Sequence, residues 1–194
     1  MSDRIILASA SPRRKELLEQ IGLQFEVVPS RAEEVVLPDE TPEEHVVRLS
    51  IDKATEVAQR SGIDGRWFIG SDTIVLCDGQ ILGKPQDQQH AAKMLRLLSG
   101  REHQVLSGYA ILDRQTGDQR TEAVATRVRF RELTDQEIAR YIASGEPMDK
   151  AGSYAIQGLG VCFVAEIAGS YTNVVGMPLC RLTLALKEFG VPLP

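Results

Sequence analysis

Residues 5–18 of the chain read IILASASPRRKELL, and we expect the rest of the fold to be organised around this stretch. Its apolar start predicts a short strand, and the small residues that follow turn the chain into a helix. Ser11 suits the N-cap of that helix and Pro12 its first position, where the missing N–H costs nothing. The pattern predicts a strand, a tight turn and a helix at 12–21.

The first turn of this helix carries three consecutive cations, Arg13, Arg14 and Lys15. The helix dipole is already positive at that end, so each of these charges is unfavourable by roughly 0.3–1 kcal/mol. One interpretation is a solvated basic turn. The other is a phosphate site formed by free backbone N–H groups, serine hydroxyls that include Ser9, and two guanidinium groups.

The totals bound the class of protein. The 194 residues suffice for one well-buried domain or two lobes that share a core, and we expect a single domain over 1–194. A formal charge of −5 argues against a nucleic-acid polymer as partner. Three scattered cysteines without a CxxC pair predict reduced core residues. Without a long apolar run or a signal-peptide core, we expect a cytoplasmic protein with no membrane contact.

Helical and strand patterns alternate along the whole length. Further helices are predicted at 41–60, 88–98, 134–144 and 178–189, and strands at 24–29, 67–77, 81–82, 105–112, 122–130, 161–165 and 172–175. Hairpin signals in the middle of the chain argue against an all-parallel sheet. The fold class we expect is α/β, with a mixed sheet and flanking helices.

Asp72 is an acid within the apolar run at 68–75. Because carboxylates are rarely buried without a partner, two interpretations stand. Asp72 either caps a turn or pairs with an arginine in a structural role, or it is a general base or metal ligand at the wall of a cleft. Glu33, in an acidic loop, would join it as a ligand of a divalent cation if the two acids lie close together.

Two further features are weak as bare patterns. Residues 149–160 read DKAGSYAIQGLG, whose glycines permit close backbone approach and whose Gln157 has an amide able to read a ligand edge. This segment is not a dinucleotide fingerprint, and Lys84, in Gly-Lys-Pro, does not belong to a Walker A loop. Lys53, on the apolar stripe of the helix at 41–60, either extends along the core edge or reaches into a cleft.

Taken in order, these segments resemble the Maf family of nucleoside triphosphate pyrophosphatases. The matching motifs are SASPRR at 9–14, Lys53, GSDT at 70–73, GKP at 83–85, LSG at 98–100, DKAGSYAIQG at 149–158 and VGMP at 175–178. The resemblance implies an inosine-triphosphatase-like fold with two lobes flanking a central cleft. It also implies hydrolysis of a nucleoside triphosphate to the monophosphate and pyrophosphate, with a divalent metal cation such as Mg²⁺ or Mn²⁺.

The resemblance carries residue roles with it. Asp72 matches the catalytic proton acceptor and would share the metal with Glu33. From their own chemistry, the residues expected to bind the highly anionic triphosphate are Ser9, Arg13, Arg14, Lys53, Lys84 and Lys150. At three specificity positions, Arg13, Thr73 and Gln157, the chain is similar to the branch that prefers dTTP and UTP. The branch that prefers 7-methyl-GTP typically carries Trp, Gln and Glu there.

Two rival functions and one assembly question stay open at this point. A phosphatase would release the γ-phosphate of the same nucleotide. A non-catalytic nucleotide sensor would regulate cell division through a protein partner, although acids beside an anion favour a metal-dependent enzyme. The expected partner is the nucleoside triphosphate, and the chain is either a monomer or a homodimer.

Overall fold

The computed structural model describes residues 3–193. Its strands are β1 (Ile5–Leu7), β2 (Glu26–Val27), β3 (Trp67–Cys77), β4 (Gln80–Leu82), β5 (Glu102–Asp113), β6 (Gln119–Phe130) and β7 (Val164–Ala168). Its helices are α1 (Pro12–Gln20), α2 (Pro42–Ala58), α3 (Gln88–Leu98), α4 (Asp135–Ala143), α5 (Tyr171–Val175) and α6 (Leu179–Glu188). Short 3₁₀ helices lie at Glu146–Asp149, Ala151–Ser153 and Leu159–Phe163.

The strands form a mixed sheet in the order β2-β1-β3-β5-β6-β7, with β4 paired to β3. β1 is parallel to β2 and to β3, whereas β4 is antiparallel to β3 and β7 is antiparallel to β6. This arrangement confirms the predicted mixed α/β class. None of the helices within residues 3–193 is both long enough and apolar enough to cross a membrane.

The chain divides into two compact units. The first unit comprises the described residues up to Asp72 together with Ser107–Val124 and the segment from Gly176 onward. The second unit comprises Thr73–Leu106 and Ala125–Val175. In the first unit the core joins α2 to the sheet through buried residues, namely Ile6, Ala8, Ala54, Val57, Ala58, Phe68 and Ala110.

The core of the second unit combines the contact of α3 with α4 and a set of aromatic rings packed edge to face. His103 belongs to this core, because its ring packs against Phe130 and its Nε2 lies 2.8 Å from the hydroxyl of Tyr154. Burial lowers the pKa of His103 to about 4. His103 is therefore a neutral core side chain at physiological pH.

All five predicted helices are confirmed, and each begins and ends within two residues of its prediction. At the end of α1, Gly22 adopts φ +70° and its N–H donates to the carbonyl of Glu19, while Leu23 N donates to Leu18 O. This is the Schellman arrangement that a glycine after the last helical turn permits. Ser11 occupies the N-cap, although its side chain makes no capping hydrogen bond.

Three sequence predictions are wrong. The segment predicted as a strand at 172–175 is helical, and at 161–165 a 3₁₀ helix precedes β7, which begins at Val164. Buried side-chain contacts favour the helix over the strand propensity of Thr and Val: the Asn173 amide donates to Val105 O and Thr126 Oγ1, both at 3.0 Å. Of the cysteines, only Cys77 is buried, while Cys162 and Cys180 are exposed.

Candidate active site

The candidate site in the first unit depends on how closely α2 approaches β3 and β5. A Cβ atom on Gly70 would lie 2.0 Å from the carbonyl oxygen of Ser50, and one on Gly108 would lie 2.3 Å from that of Val46. Only a residue without a side chain fits at such separations. The helix therefore lies directly against the strand backbones, with Lys53 beside Asp72 in the middle of β3.

Lys53 joins two carboxylates. Its Nζ donates to Asp72 Oδ1 at 2.6 Å and lies 2.7 Å from Glu34 Oε1. The side chains of Lys53 and Asp72 are only 8% and 9% exposed, whereas that of Glu34 is 49% exposed. A buried ion pair is weak evidence for stability, because desolvation of the two charges offsets their attraction. Its place beside a solvent-accessible acid is instead typical of a functional site.

Arg14 lies near the Lys53–Asp72 ion pair, and two backbone carbonyl groups hold its guanidinium. Its Nη1 donates to Ser71 O at 2.7 Å, and its Nε donates to Gly176 O at 2.9 Å. Burial lowers the pKa of the Arg14 guanidinium, and the charges of Asp72 and Glu34 act in the opposite direction. Arg14 thus ties the start of α1 to β3 and adds positive charge near both carboxylates.

The start of α1 supplies backbone donors. Ser9 is buried, and its Oγ accepts hydrogen bonds from Ser11 N at 3.2 Å and from Arg14 Nη1 at 3.4 Å. The first turn of α1 contains no acidic residue, and Arg13 lies in it, partly exposed. A nine-residue helix without an acidic or side-chain cap presents its N–H groups and the positive end of its dipole to an anion.

The other predicted site residues lie in the second unit, where two of their segments meet. Gly152 N donates to Gly83 O at 3.1 Å, which brings the segment of Lys150 next to that of Lys84. Lys84 is exposed, while Lys150 pairs with Asp149 and its Nζ also donates to Glu146 O at 3.2 Å. Thr73, also assigned to this unit, is partly buried in β3.

Glu146 holds the loop that carries Gln157 through hydrogen bonds to its backbone. The Glu146 carboxylate accepts hydrogen bonds from Leu159 N at 2.9 Å, from Gly160 N at 3.1 Å and from the Tyr141 hydroxyl at 2.9 Å. Burial raises the pKa of Glu146, but these donors outweigh it and the pKa is lowered. Gln157 is partly exposed at the edge of this fixed loop, within the second unit.

Glu34, and not the Glu33 that the sequence suggested, lies beside Lys53. Glu33 is exposed and lines an open groove with Asp52 and Glu56 on one face of α2, whereas Glu34 contacts Lys53. The sequence holds no local signal that separates Glu34 from its neighbour Glu33. Glu34 therefore shares with Asp72 a contact to the ammonium group of Lys53.

The donors beside Lys53 suit a cation that is completed by substrate. Within residues 3–193, no cluster of three or more His, Cys, Asp or Glu side chains could hold a metal ion. Asp72 and Glu34 both contact the ammonium group of Lys53, so the two carboxylates lie close together. Mg²⁺ usually takes one or two carboxylates together with phosphate oxygens and water, and two neighbouring carboxylates suit that mode.

The chain is similar to proteins of known name over nearly its whole length. Residues 4–189 match the family model described as Maf-like protein. The dTTP/UTP pyrophosphatase of Syntrophotalea carbinolica is 60% identical over 186 residues, which cover 96% of this chain and 84% of that protein. The dTTP/UTP pyrophosphatase of Geotalea uraniireducens is 54% identical over 186 residues, with 96% and 95% covered. A dITP/XTP pyrophosphatase structure from Mycobacterium abscessus is similar at TM-score 0.44 and 14% identity, covering 97% of this chain and 95% of that one.

Proposed function

The chain belongs to the Maf-like protein family, and we propose that it is a nucleoside triphosphate pyrophosphatase acting on dTTP and UTP. The products would be the nucleoside monophosphate and pyrophosphate. The names of the relatives support the substrates. The observation that carries the chemistry is the buried Asp72 carboxylate, oriented by Lys53 and accompanied by Glu34.

Asp72 is the proposed general base. A water molecule attacks the α-phosphorus, and Asp72 accepts its proton, a contribution of roughly 10²–10⁴-fold to the rate. Lys53 holds the carboxylate in one orientation through the 2.6 Å hydrogen bond to Oδ1. A divalent cation held by Asp72 and Glu34 would neutralise charge on the phosphate oxygens. Glu34 replaces Glu33 in this role because Glu34 is the acid that contacts Lys53.

The triphosphate is the proposed ligand of the basic residues. Ser9 and the N–H groups at the start of α1 would donate to phosphate oxygens, and Arg13 would add its charge there. Arg14 would contribute mainly its positive charge, since its Nε and Nη1 already donate to backbone carbonyls. Lys84 and Lys150, on adjoining segments, would neutralise the pyrophosphate leaving group.

The base is read, in this proposal, by Arg13, Thr73 and Gln157. Two residues that follow Gln157 in its loop donate backbone hydrogen bonds to the Glu146 carboxylate. The side-chain amide of Gln157 therefore extends from a fixed backbone. A preoriented amide discriminates between bases because a mismatched base leaves polar groups unpaired.

We also propose a cytoplasmic enzyme whose partner is the nucleotide and not a nucleic-acid polymer or a membrane. A monomer and a homodimer both agree with this scheme.

A nucleotide panel tests the proposal. The wild-type protein is incubated with dTTP, UTP and other triphosphates in Mg²⁺ or Mn²⁺, and pyrophosphate and phosphate are measured separately. We expect pyrophosphate and monophosphate from dTTP and UTP, and a loss of kcat of about 10²–10⁴-fold in Asp72→Asn with the fold retained. Release of inorganic phosphate alone would indicate a phosphatase, and tight binding without turnover would indicate a sensor.

A further inference from the structure

The segment that carries Glu34 has little local structure to hold it. Residues 28–41, between β2 and α2, contain no helix or strand. The three residues after Glu34 are Val35, Val36 and Leu37, which are 53%, 58% and 45% exposed. They bury little surface that could fix the backbone. Because ordering each residue of such a segment costs backbone entropy, contacts from outside the segment must hold it.

The guanidinium of Arg48, on α2, contacts this segment at two places. Nη2 donates to Val35 O at 2.8 Å, one residue after Glu34. Nε and Nη2 donate to the two carboxylate oxygens of Glu40 at 2.5 and 2.8 Å. Nη1 donates to Asp52 at 3.2 Å. A planar guanidinium can serve all these acceptors at once, which a single ammonium group cannot do.

Glu40 is the anchor of this arrangement. Its side chain is only 8% exposed, and it also lies 3.0 Å from His45 Nδ1 and accepts from Leu37 N at 3.4 Å. The hydrogen bond from Arg48 is the first cause that lowers the pKa of Glu40 to about 2. Glu40 therefore stays ionised across the working pH range, and the Arg48 fork has a fixed counterion.

One helix thus holds two consecutive residues of the segment. Lys53 contacts the side chain of Glu34, and Arg48 contacts the carbonyl of Val35. We propose that Arg48, anchored by Glu40, is a positioning residue that keeps the Glu34 carboxylate beside Asp72. The inference rests on the proposed function, in which Glu34 helps to hold the metal and triphosphate.

Arg60 offers a matched control. It lies two residues after the end of α2, its Nε donates to Glu56 at 2.7 Å, and its Nη2 donates to Pro29 O at 2.9 Å. Arg60 therefore makes the same types of hydrogen bond as Arg48, but the backbone carbonyl that it contacts belongs to Pro29, five positions before Glu34. Arg48→Lys, Arg48→Ala, Arg60→Lys and Arg60→Ala are compared in kcat/KM for dTTP and in thermal stability. Arg48→Lys serves as the second variant if Arg48→Ala folds poorly.

A displacement of about 1 Å in a catalytic group can cost 10²-fold in rate. We therefore expect kcat/KM to fall about 10- to 100-fold in Arg48→Ala and to stay within about twofold in both Arg60 variants. In a Glu34→Gln background the same Arg48 substitution should have almost no further effect, because a positioning residue acts only through the group that it positions. A purely structural role would give additive losses instead.

Hydrogen exchange without nucleotide or metal gives an independent readout. The amides of 34–37 should exchange faster in the Arg48 variants, and those near 29–31 in the Arg60 variants. Unchanged exchange at 34–37, or Arg48 variants whose kcat/KM matches the Arg60 variants, would overturn the inference. A wild-type protein that releases no pyrophosphate refutes the proposed function instead, while hydrogen exchange still decides whether Arg48 holds the segment.

Discussion

The substitution Gly70→Ala tests whether the close approach of α2 to β3 creates the catalytic geometry. The added Cβ would lie 2.0 Å from Ser50 O and 2.9 Å from Ala54 N, both in the backbone of α2. Ordinary contacts begin near 3.4 Å. Because these atoms belong to a helix backbone, no side-chain rotation can relieve the overlap. The helix must move away from the strand by about 1 Å or more.

That movement has two calculable consequences. Overpacking of this kind destabilises a protein by about 1–3 kcal/mol, which for a chain of this size lowers Tm by roughly 2–12 °C. The same movement lengthens the 2.6 Å contact between Lys53 Nζ and Asp72 Oδ1 beyond hydrogen-bonding distance. Misplacement of a catalytic group by about 1 Å reduces kcat/KM by roughly 10²-fold. Gly70→Ala should therefore lower kcat/KM by roughly 10²-fold while Tm falls by only roughly 2–12 °C.

The assay compares kcat/KM for dTTP with Tm, and Gly65→Ala provides the control. A Cβ on Gly65 would meet the Ile6 side chain at 2.4 and 2.9 Å, in the core of the same unit. The Ile6 side chain can repack whereas a helix backbone cannot, so Gly65→Ala should lower Tm and keep kcat/KM within about threefold. A folded Gly70→Ala protein with wild-type kcat/KM would refute the claim that helix–strand contact sets the position of Lys53.

Three further predictions follow from the site and from the charges around it. Glu34→Gln should lower kcat about tenfold or more while Glu33→Gln leaves it unchanged, and equal effects would contradict the assignment of Glu34. Gln157→Glu should change the ratio of kcat/KM values for dTTP and for a purine triphosphate, whereas an identical substrate panel would exclude Gln157 as a reader of the base. The pKa of Glu40 is lowered from 4.5 to about 2, first by the Arg48 hydrogen bond, so its stabilisation is present above the unfolded pKa and lost as pH falls toward 2. The Tm difference between wild type and Glu40→Gln should accordingly be largest above about pH 5 and shrink toward pH 2, and a pH-independent difference would show that the charge of Glu40 is irrelevant.

Predictions from local signals succeeded because the interactions involved are local. In the capping box of α2, Thr41 Oγ1 accepts from Glu44 N at 3.2 Å and the Glu44 carboxylate accepts from Thr41 N at 2.9 Å. Both partners are visible within four consecutive residues, so the helix start could be read directly. The strand predicted at 172–175 is wrong for the opposite reason, since the partners of the Asn173 side-chain amide are Val105 and Thr126, far away in the chain.

For the candidate site, the sequence identified the types of residue but not their pairing. Asp72 in an apolar strand required a partner, and the sequence offered several cations and two adjacent acids. The contact of Lys53 with Asp72 spans nineteen positions and exists only because a strand glycine lets α2 approach the backbone of β3. Local propensity contains no information about such a distance.

The sequence by itself determined the family, the mixed α/β class and the chemical groups available to bind phosphate, to hold a metal ion and to accept a proton. Tertiary structure alone decided that Glu34 and not Glu33 meets Lys53, and that Arg14 is held by backbone carbonyls. The physical reason is that side-chain chemistry is a property of each residue. Which groups converge depends on helix–strand packing, and that packing is set by contacts between residues far apart in the chain.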